Sequence, residues 1–145
     1  MNTPSFIKTQ VQAAQNKISP QLVIKNVTIV NLFTDEMEQM DVAIHNGKFV
    51  GIGQYSGQTE IDGTEYTMVP GLIDAHVHIE SSMLAPSQFQ KVVLPRGVTT
   101  VIADPHEIAN VHGVRGIKYM HDSSEDLPMR QHVLAPSCVP AVLGL

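Results

Sequence analysis

The sequence predicts an α/β fold in which a small all-β unit precedes the first strands and helices of a parallel sheet. Residues 21–68 hold short apolar segments separated by turn residues. From Val69 onward, strand-like and helix-like segments alternate, which is typical of β-α-β units. The segment 98–103 is β-branched and almost wholly apolar, as expected for a parallel strand that is covered on both faces.

Residues 1–20 form a polar segment in which a short helix is predicted at about 5–15, with Pro20 separating it from the β unit. The segment lacks the apolar core of a signal peptide. Apolar runs elsewhere fall short of the ~20 residues that span a bilayer. We therefore expect a cytoplasmic protein with no membrane partner.

The composition sets further bounds on the class of protein. The chain has 145 residues, of which 43% are hydrophobic and 16% charged, enough for a globular domain with a core. The net charge of −5 argues against a nucleic-acid partner, which would favour a basic face. Because Cys138 is the single cysteine, an internal disulfide and a cysteine-rich zinc site are both excluded.

Within the β unit, residues 21–68, one hairpin is well marked. The dipeptide Asn46–Gly47 suits a two-residue type I′ turn, in which both central residues need a positive φ. His45, beside this dipeptide, is interpreted as a solvated turn residue. The predicted strands, which are too few to close a sandwich by themselves, lie at 22–30, 41–44, 48–52 and 59–68.

Residues 69–145 are predicted to form the beginning of a β/α series. Pro86 suits the first turn of a helix, and Pro95 and Gly97 end it. A closed parallel barrel needs eight strands and about 250 residues, so we expect this chain to be a fragment of one. The predicted strands are 72–79, 98–103 and 132–136, and the predicted helices are 86–94 and 108–121.

The strand at 72–79 carries the most informative pattern. Side chains alternate between the faces of a strand, so Asp74, His76, His78 and Glu80 share one face, while the apolar face is expected to pack against helices. Four ionisable groups in a row need partners, and two imidazoles two residues apart reach one metal ion at about 2.0–2.1 Å. The carboxylates Asp74 and Glu80 would orient ligands or water.

A polar, solvated face of an edge strand is the alternative interpretation, because His-x-His pairs occur often by chance. The context favours the metal interpretation. The pair comes after Pro70–Gly71 and lies on the first strand of a β-α series, directly after a small β unit.

A second polar cluster, Asp104, His106 and Glu107, falls at the carboxyl end of the second predicted strand. Asp104 or Glu107 would equally serve to complement the dipole of the following helix. We expect His106 and Glu107 to orient metal ligands or contact substrate, and keep both roles open for Asp104. Surface positions are expected for His112, His121 and His132. Cys138 follows the third predicted strand, so a pocket position is open to it, but a small buried position is favoured.

Two long motifs resemble one known family. Residues 69–78, VPGLIDAHVH, are similar to the opening strand of the amidohydrolase superfamily, and the continuation IESSML with residues 98–110, VTTVIADPHEIAN, resembles the adenine deaminases. The resemblance implies a (β/α)₈ barrel of the TIM type with a flanking β-sandwich, here incomplete. It implies hydrolysis of adenine to hypoxanthine and ammonia in purine salvage, in a homo-oligomeric full-length protein.

The same resemblance implies a binuclear divalent metal site that uses manganese or iron, with zinc less favoured. His76 and His78 match the family's first-strand ligands. The remaining ligands and the main catalytic acid or base belong to later strands, so this chain alone is expected to be inactive.

Three alternatives are weighed beside it. A dihydroorotase-like or hydantoinase-like enzyme for cyclic amides shares the metal strand. A non-catalytic truncated product is also compatible with the length. The zinc nucleobase deaminases match at His78–Ile79–Glu80, but they also need two further cysteines, which the sequence lacks.

Overall fold

The computed structural model describes residues 4–139 of the chain. The chain divides into two compact units, Met1–Val69 and Pro70–Leu145, and each contains its own sheet. Among residues 4–139, every helix is too short or too polar to cross a membrane.

The first unit is a sheet with one helix. Its strand order is β3-β2-β1-β4, and β5 also pairs with β1. Neighbours β1 and β2, and β2 and β3, run antiparallel, whereas β4 and β5 run parallel to β1. The elements are α1 (Pro4–Ala14), β1 (Leu22–Asn31), β2 (Glu36–His45), β3 (Lys48–Gly53), β4 (Thr59–Asp62) and β5 (Thr67–Met68).

The hairpin between β2 and β3 is confirmed. Asn46 and Gly47 both have positive φ, at 52° and 66°, as a type I′ turn requires. The interpretation of His45 as a solvated turn residue is wrong, because its exposed fraction is 7%. Strand β2 continues through His45 and contacts α1, so this imidazole belongs to a packed strand.

The single strand predicted at 59–68 is instead two short strands, β4 and β5. Between them the N–H of Tyr66 donates to the carbonyl of Gly63 in a turn. The Asp62 carboxylate accepts hydrogen bonds from the N–H and the hydroxyl of Thr64. These local hydrogen bonds stabilise a turn and interrupt the pairing with β1, as bonds from short polar side chains to the nearby backbone often do.

The second unit is built on a parallel sheet of order β6-β7-β8. Its core is apolar and includes Ile79, Val101, Met120 and Met129. The elements are β6 (Leu72–Val77), α2 (Pro86–Val93), β7 (Val98–Ala103), α3 (His106–His112), α4 (Val114–Asp122) and β8 (Arg130–Val133), with 3₁₀ turns at Glu80–Ser82 and Leu94–Arg96.

Three boundaries in this unit differ from the sequence-based predictions. Gly113, with φ 59° and ψ −143°, divides the predicted helix 108–121 into α3 and α4. Strand β6 ends at Val77, because the chain then enters a 3₁₀ turn. Strand β8 begins earlier than predicted, at Arg130 opposite Thr100, and ends before Pro136, which has no N–H for a ladder.

The apolar face of β6 is only partly buried. Ile79 is fully buried and Val77 is half-buried, whereas Ile73 is 66% exposed. Burial of this whole face was expected, and within residues 4–139 that expectation is wrong for its first half. The reason is that α2 and α4 place Phe89 and Met120 against the core around Ile79 and Val101, and the first half of β6 lies outside that core.

Candidate metal centre

The carboxyl ends of the three parallel strands are level with one another. Val77 pairs with Ala103, and Ala103 pairs with Val133. Beyond this row, the N–H of Asp104 donates to the carbonyl of Val77 at 2.9 Å. The residues after each strand therefore meet at one edge of the sheet, where active sites of parallel α/β folds are built.

His76 and His78 come together at this edge. Their Nε2 atoms lie 3.1 Å apart, and their ring centroids are 4.8 Å apart. An ion bound at 2.0–2.1 Å, with ligand angles between those of an octahedron and a tetrahedron, separates two ligand nitrogens by about 2.9–3.4 Å. The observed spacing fits two ligands of one ion.

The orientation of His78 is set by the neighbouring strand. Its Nδ1 lies 2.8 Å from the carbonyl oxygen of Asp104. A carbonyl only accepts hydrogen bonds, so Nδ1 carries the proton and the neutral ring keeps its lone pair on Nε2. That arrangement, with one ring nitrogen donating to a carbonyl and the other free to ligate, is the usual one for metal-binding histidines.

Asp104 and His106 add unsatisfied polar atoms beside this pair. The His106 ring lies 4.4 Å from that of His78, centroid to centroid, and its Nδ1 is 3.5 Å from Oδ2 of Asp104. Across the described residues 4–139, Oδ1 of Asp104 and Nδ1 of His106 are buried without a hydrogen-bond partner. Leaving such atoms unpaired is costly, and a cation would satisfy both.

Asp104 makes no cap hydrogen bond to the helix that follows it, α3, and of the two residues considered for the helix dipole, Glu107 is the one in the first turn. Ligand atoms of His76, His78 and Asp104 lie within 4.8 Å of one another, as do those of Asp104, His106 and Cys138. Asp104 is common to both groups.

The other acidic candidates have different surroundings. Asp74 turns back on its own strand and accepts the N–H of His76 at 3.1 Å. Glu107 accepts the hydroxyl of Ser81 at 2.5 Å, and Oε1 of Glu80 accepts the N–H of Ile108 at 3.4 Å. Glu80 lies in the 3₁₀ turn Glu80–Ser82, where Oε1 braces the loop against α3 and Oε2 is buried without a hydrogen-bond partner among the described residues.

Cys138 occupies a different place from the one expected. Its side chain is exposed, so the interpretation as a small buried residue is wrong. It comes five residues after the end of β8 and reaches the edge where Asp104 and His106 lie. Its position after a predicted parallel strand was the sequence feature that could have indicated its place at this edge. His112, His121 and His132 are exposed, as predicted.

The first unit contains a polar cluster of its own, centred on Asp41. Its carboxylate accepts hydrogen bonds from Lys25 Nζ at 2.5 Å, the N–H of Asn26 at 3.0 Å and the N–H of Tyr55 at 3.1 Å. Burial alone would raise the pKa of Asp41, but these bonds and the charge of Lys25 hold it below its ordinary value. A cleft of about 890 Å³ lies beside the cluster.

Comparisons with known proteins identify the relatives of this chain. Residues 67–143 match the amidohydrolase family. The adenine deaminase of Geobacillus kaustophilus is 54% identical over 137 residues, and that of Bacillus pumilus is 47% identical over the same length. Each alignment covers 94% of this chain and 24% of the relative, so the chain spans about a quarter of these curated relatives.

One solved structure shares the fold. It is a mutant of atrazine chlorohydrolase from Arthrobacter aurescens TC1 in complex with zinc and atraton, with a TM-score of 0.61 and 18% identity. The match covers 79% of this chain and 35% of that one.

Proposed function

The chain belongs to the amidohydrolase family, and on that premise we propose that it supplies the first part of an adenine deaminase, which hydrolyses adenine to hypoxanthine and ammonia. The observation that carries the proposal is 54% identity to a curated adenine deaminase over 94% of this chain. The aligned region includes the histidine pair and the second-strand cluster.

For the fold, we propose an incomplete (β/α)₈ barrel preceded by part of a β-sandwich. Exposed apolar side chains in the second unit support this, because a barrel would cover them with further strands and helices. Leu72 and Ile73 on β6 are 59% and 66% exposed, and Val111 and Val114 are 75% and 79% exposed. A homo-oligomeric complete protein in the cytoplasm is part of the same proposal.

We propose that His76 and His78 hold a divalent ion, either manganese or iron, within a binuclear site that other strands complete. A bound divalent ion lowers the pKa of a coordinated water and supplies hydroxide near neutral pH. His78 is oriented for ligation by its hydrogen bond to the Asp104 carbonyl. In that tautomer the Nε2 lone pair of His78 is available to an ion, and Nε2 of His76 lies 3.1 Å from it.

The acidic residues have separate proposed roles. The bonds of Glu80 to the Ile108 N–H and of Glu107 to Ser81 tie the loop after β6 to the start of α3. They fix the mouth of the site, where an aromatic purine would lie. Asp104 and His106 supply a carboxylate and an imidazole beside the histidine pair.

A chimera tests the proposal. The 137 matching residues of the Geobacillus kaustophilus enzyme are replaced by those of this chain, and ammonia release is measured with adenine, alongside ring opening of dihydroorotate and hydantoin. We expect turnover of adenine alone. A folded chimera that opened the cyclic amides and left adenine intact would contradict the proposal and favour the cyclic-amide hydrolases.

Variants of the chimera test the assigned ligands. Replacing both His76 and His78 by alanine should lower kcat/KM for adenine at least about 100-fold, the upper range for losing even an indirect metal partner. His112→Ala, a matched change at an exposed histidine, should leave kcat/KM unchanged.

A further inference from the structure

Three side chains of different ligand type meet beside the histidine pair. Asp104 comes directly after β7, His106 begins α3, and Cys138 lies in the segment after β8. Their ligand atoms lie within 4.8 Å of one another. An ion with bonds of 2.0–2.3 Å would draw them to about 3–4 Å, a small change for the exposed side chain of Cys138.

The polar atoms of this group are unsatisfied. Side-chain exposure is 16% for Asp104 and 31% for His106, so both lie largely out of water. Over the part of the chain that the structure describes, neither Oδ1 of Asp104 nor Nδ1 of His106 has a hydrogen-bond partner. Their own separation of 3.5 Å, between Nδ1 and Oδ2, lacks hydrogen-bond geometry. Gln10, His45 and Glu80 also keep one such atom each. Asp104 and His106 differ because ligand atoms of three types, including the Cys138 thiol, lie within 4.8 Å of one another, so an ion would satisfy both unpartnered atoms at once.

We infer that Asp104, His106 and Cys138 form a metal position of their own, next to the His76–His78 position, for a thiophilic divalent ion such as Zn²⁺ or Co²⁺. Asp104 belongs to both ligand groups, and a carboxylate has two oxygens to share between two ions. A thiolate with one imidazole and one carboxylate is a donor set that selects borderline and soft ions. Three protein ligands leave one position open for water or substrate.

This inference does not depend on the substrate proposed above. It needs only the donor set and its geometry, and it assigns Cys138 a role outside the two histidine ligands. A lack of ammonia release from adenine would therefore leave the metal position intact. A lack of metal binding at this position would likewise leave the proposed reaction intact.

The test is a Co²⁺ titration of the 145-residue chain, monitored by absorption spectroscopy under reducing conditions. A thiolate bound to Co²⁺ gives a charge-transfer band in the near ultraviolet, and Cys138 is the single cysteine of the sequence. We expect a band that saturates with Co²⁺ and keeps the same intensity per chain on dilution. The band should be lost in Cys138→Ser.

Further variants separate the two positions. Asp104→Asn and His106→Ala should weaken the Co²⁺ affinity read from the band by about 10-fold or more. Replacing His76 and His78 by alanine should leave the band in place, and His132→Ala serves as the matched control at an exposed histidine. Circular dichroism of every variant verifies equal helix content.

Two results would overturn the inference. One is a wild-type titration without a thiolate band. The other is a band that fades on dilution or persists unchanged in Asp104→Asn and His106→Ala, since Cys138 would then bind Co²⁺ without these partners. If the isolated chain lacks helical dichroism, the difference spectrum between the chimera and its Cys138→Ser variant decides the same question.

Discussion

The polar clusters around Asp41 and around Asp104 contain similar groups but differ in whether the carboxylate oxygens have hydrogen-bond partners. In the first unit, the Asp41 carboxylate accepts from a lysine and two backbone N–H groups, so its charge is compensated on every side. In the second unit, Asp104 keeps an oxygen that is buried without a partner in the described residues, and His106 beside it keeps a nitrogen.

We interpret this difference as that between a structural cluster and the proposed metal site. A compensated carboxylate stabilises the fold and has no capacity left for a ligand, even with a cleft of about 890 Å³ beside it. An uncompensated group costs stability and persists where a ligand supplies what the fold leaves out.

The largest effect on stability is expected from Asp41→Ala. The change leaves Lys25 and two backbone N–H groups without their acceptor, which should lower the free energy of unfolding of the first unit by about 3 kcal/mol. Urea denaturation measures the loss. Glu36→Ala, at an exposed position on β2, should stay within about 0.5 kcal/mol of wild type. If Asp41→Ala lost no more stability than Glu36→Ala, the Asp41 cluster would not be the stabilising cluster that sets it apart from the Asp104 cluster.

Asp104→Asn should weaken metal binding strongly and change the stability little. Because the change keeps the shape of a side chain whose Oδ1 already lacks a hydrogen-bond partner among the described residues, the free energy of unfolding should change by less than about 1 kcal/mol. The affinity for Mn²⁺, measured by calorimetry, should fall about 10- to 100-fold. Asp122→Asn, at an exposed carboxylate paired with Lys118, is the control and should leave the affinity unchanged. A large loss of stability in Asp104→Asn would make its cluster structural as well.

Gly113→Ala tests the break between α3, which begins at His106, and α4. Gly113 has φ 59° and ψ −143°, a conformation nearly restricted to glycine, and open space lies where the new methyl group would stand. The expected loss is therefore conformational, about 1–2 kcal/mol, and thermal denaturation measures it. Val114→Ala, at the next and highly exposed position, should change little. An unchanged midpoint in Gly113→Ala would show that the break is not strained.

The smallest expected effect is on the acid dependence of stability. The pKa of Asp41 is held below its ordinary value of 3.8, because the Lys25 hydrogen bond and two backbone N–H groups outweigh the opposing effect of burial. Its contribution is therefore complete above about pH 3.8 and is lost as pH falls through the lower folded pKa. Urea midpoints of wild type should drop more steeply below that pH than those of Asp41→Asn. Parallel curves would contradict the role assigned to Asp41.

Much of the fold could be predicted from local patterns. The second strand of the parallel sheet was predicted with its observed limits, because six apolar or β-branched residues lie between turn signals. The hairpin at Asn46–Gly47 is a consequence of backbone chemistry alone. The break at Gly113 was missed since the apolar spacing of Val111, Val114 and Ile117 continues through it. A glycine inside a helix costs only about 1 kcal/mol, so the pattern does not reveal it.

The candidate site was predictable where strand geometry fixes it. His76, His78 and Asp104 lie together because the ends of parallel strands meet at one edge. The row failed only at its last member, because the chain enters a 3₁₀ turn at Glu80, where strand alternation no longer applies, whereas His78, one residue past β6, still lies beside His76. Cys138 was misjudged because it lies in a loop, whose path depends on tertiary packing rather than on a local period.

The central claim is that the edge at β6 and β7 is an open metal site and the Asp41 cluster is closed. Thermal denaturation of the chain with and without Mn²⁺ tests it most directly, since an ion that binds only the folded state raises Tm. We predict that Mn²⁺ raises the Tm of wild type and of Lys25→Met, and has no effect when His76 and His78 are both alanine. An equal rise in the histidine double variant, or the absence of any rise in wild type, would contradict the account.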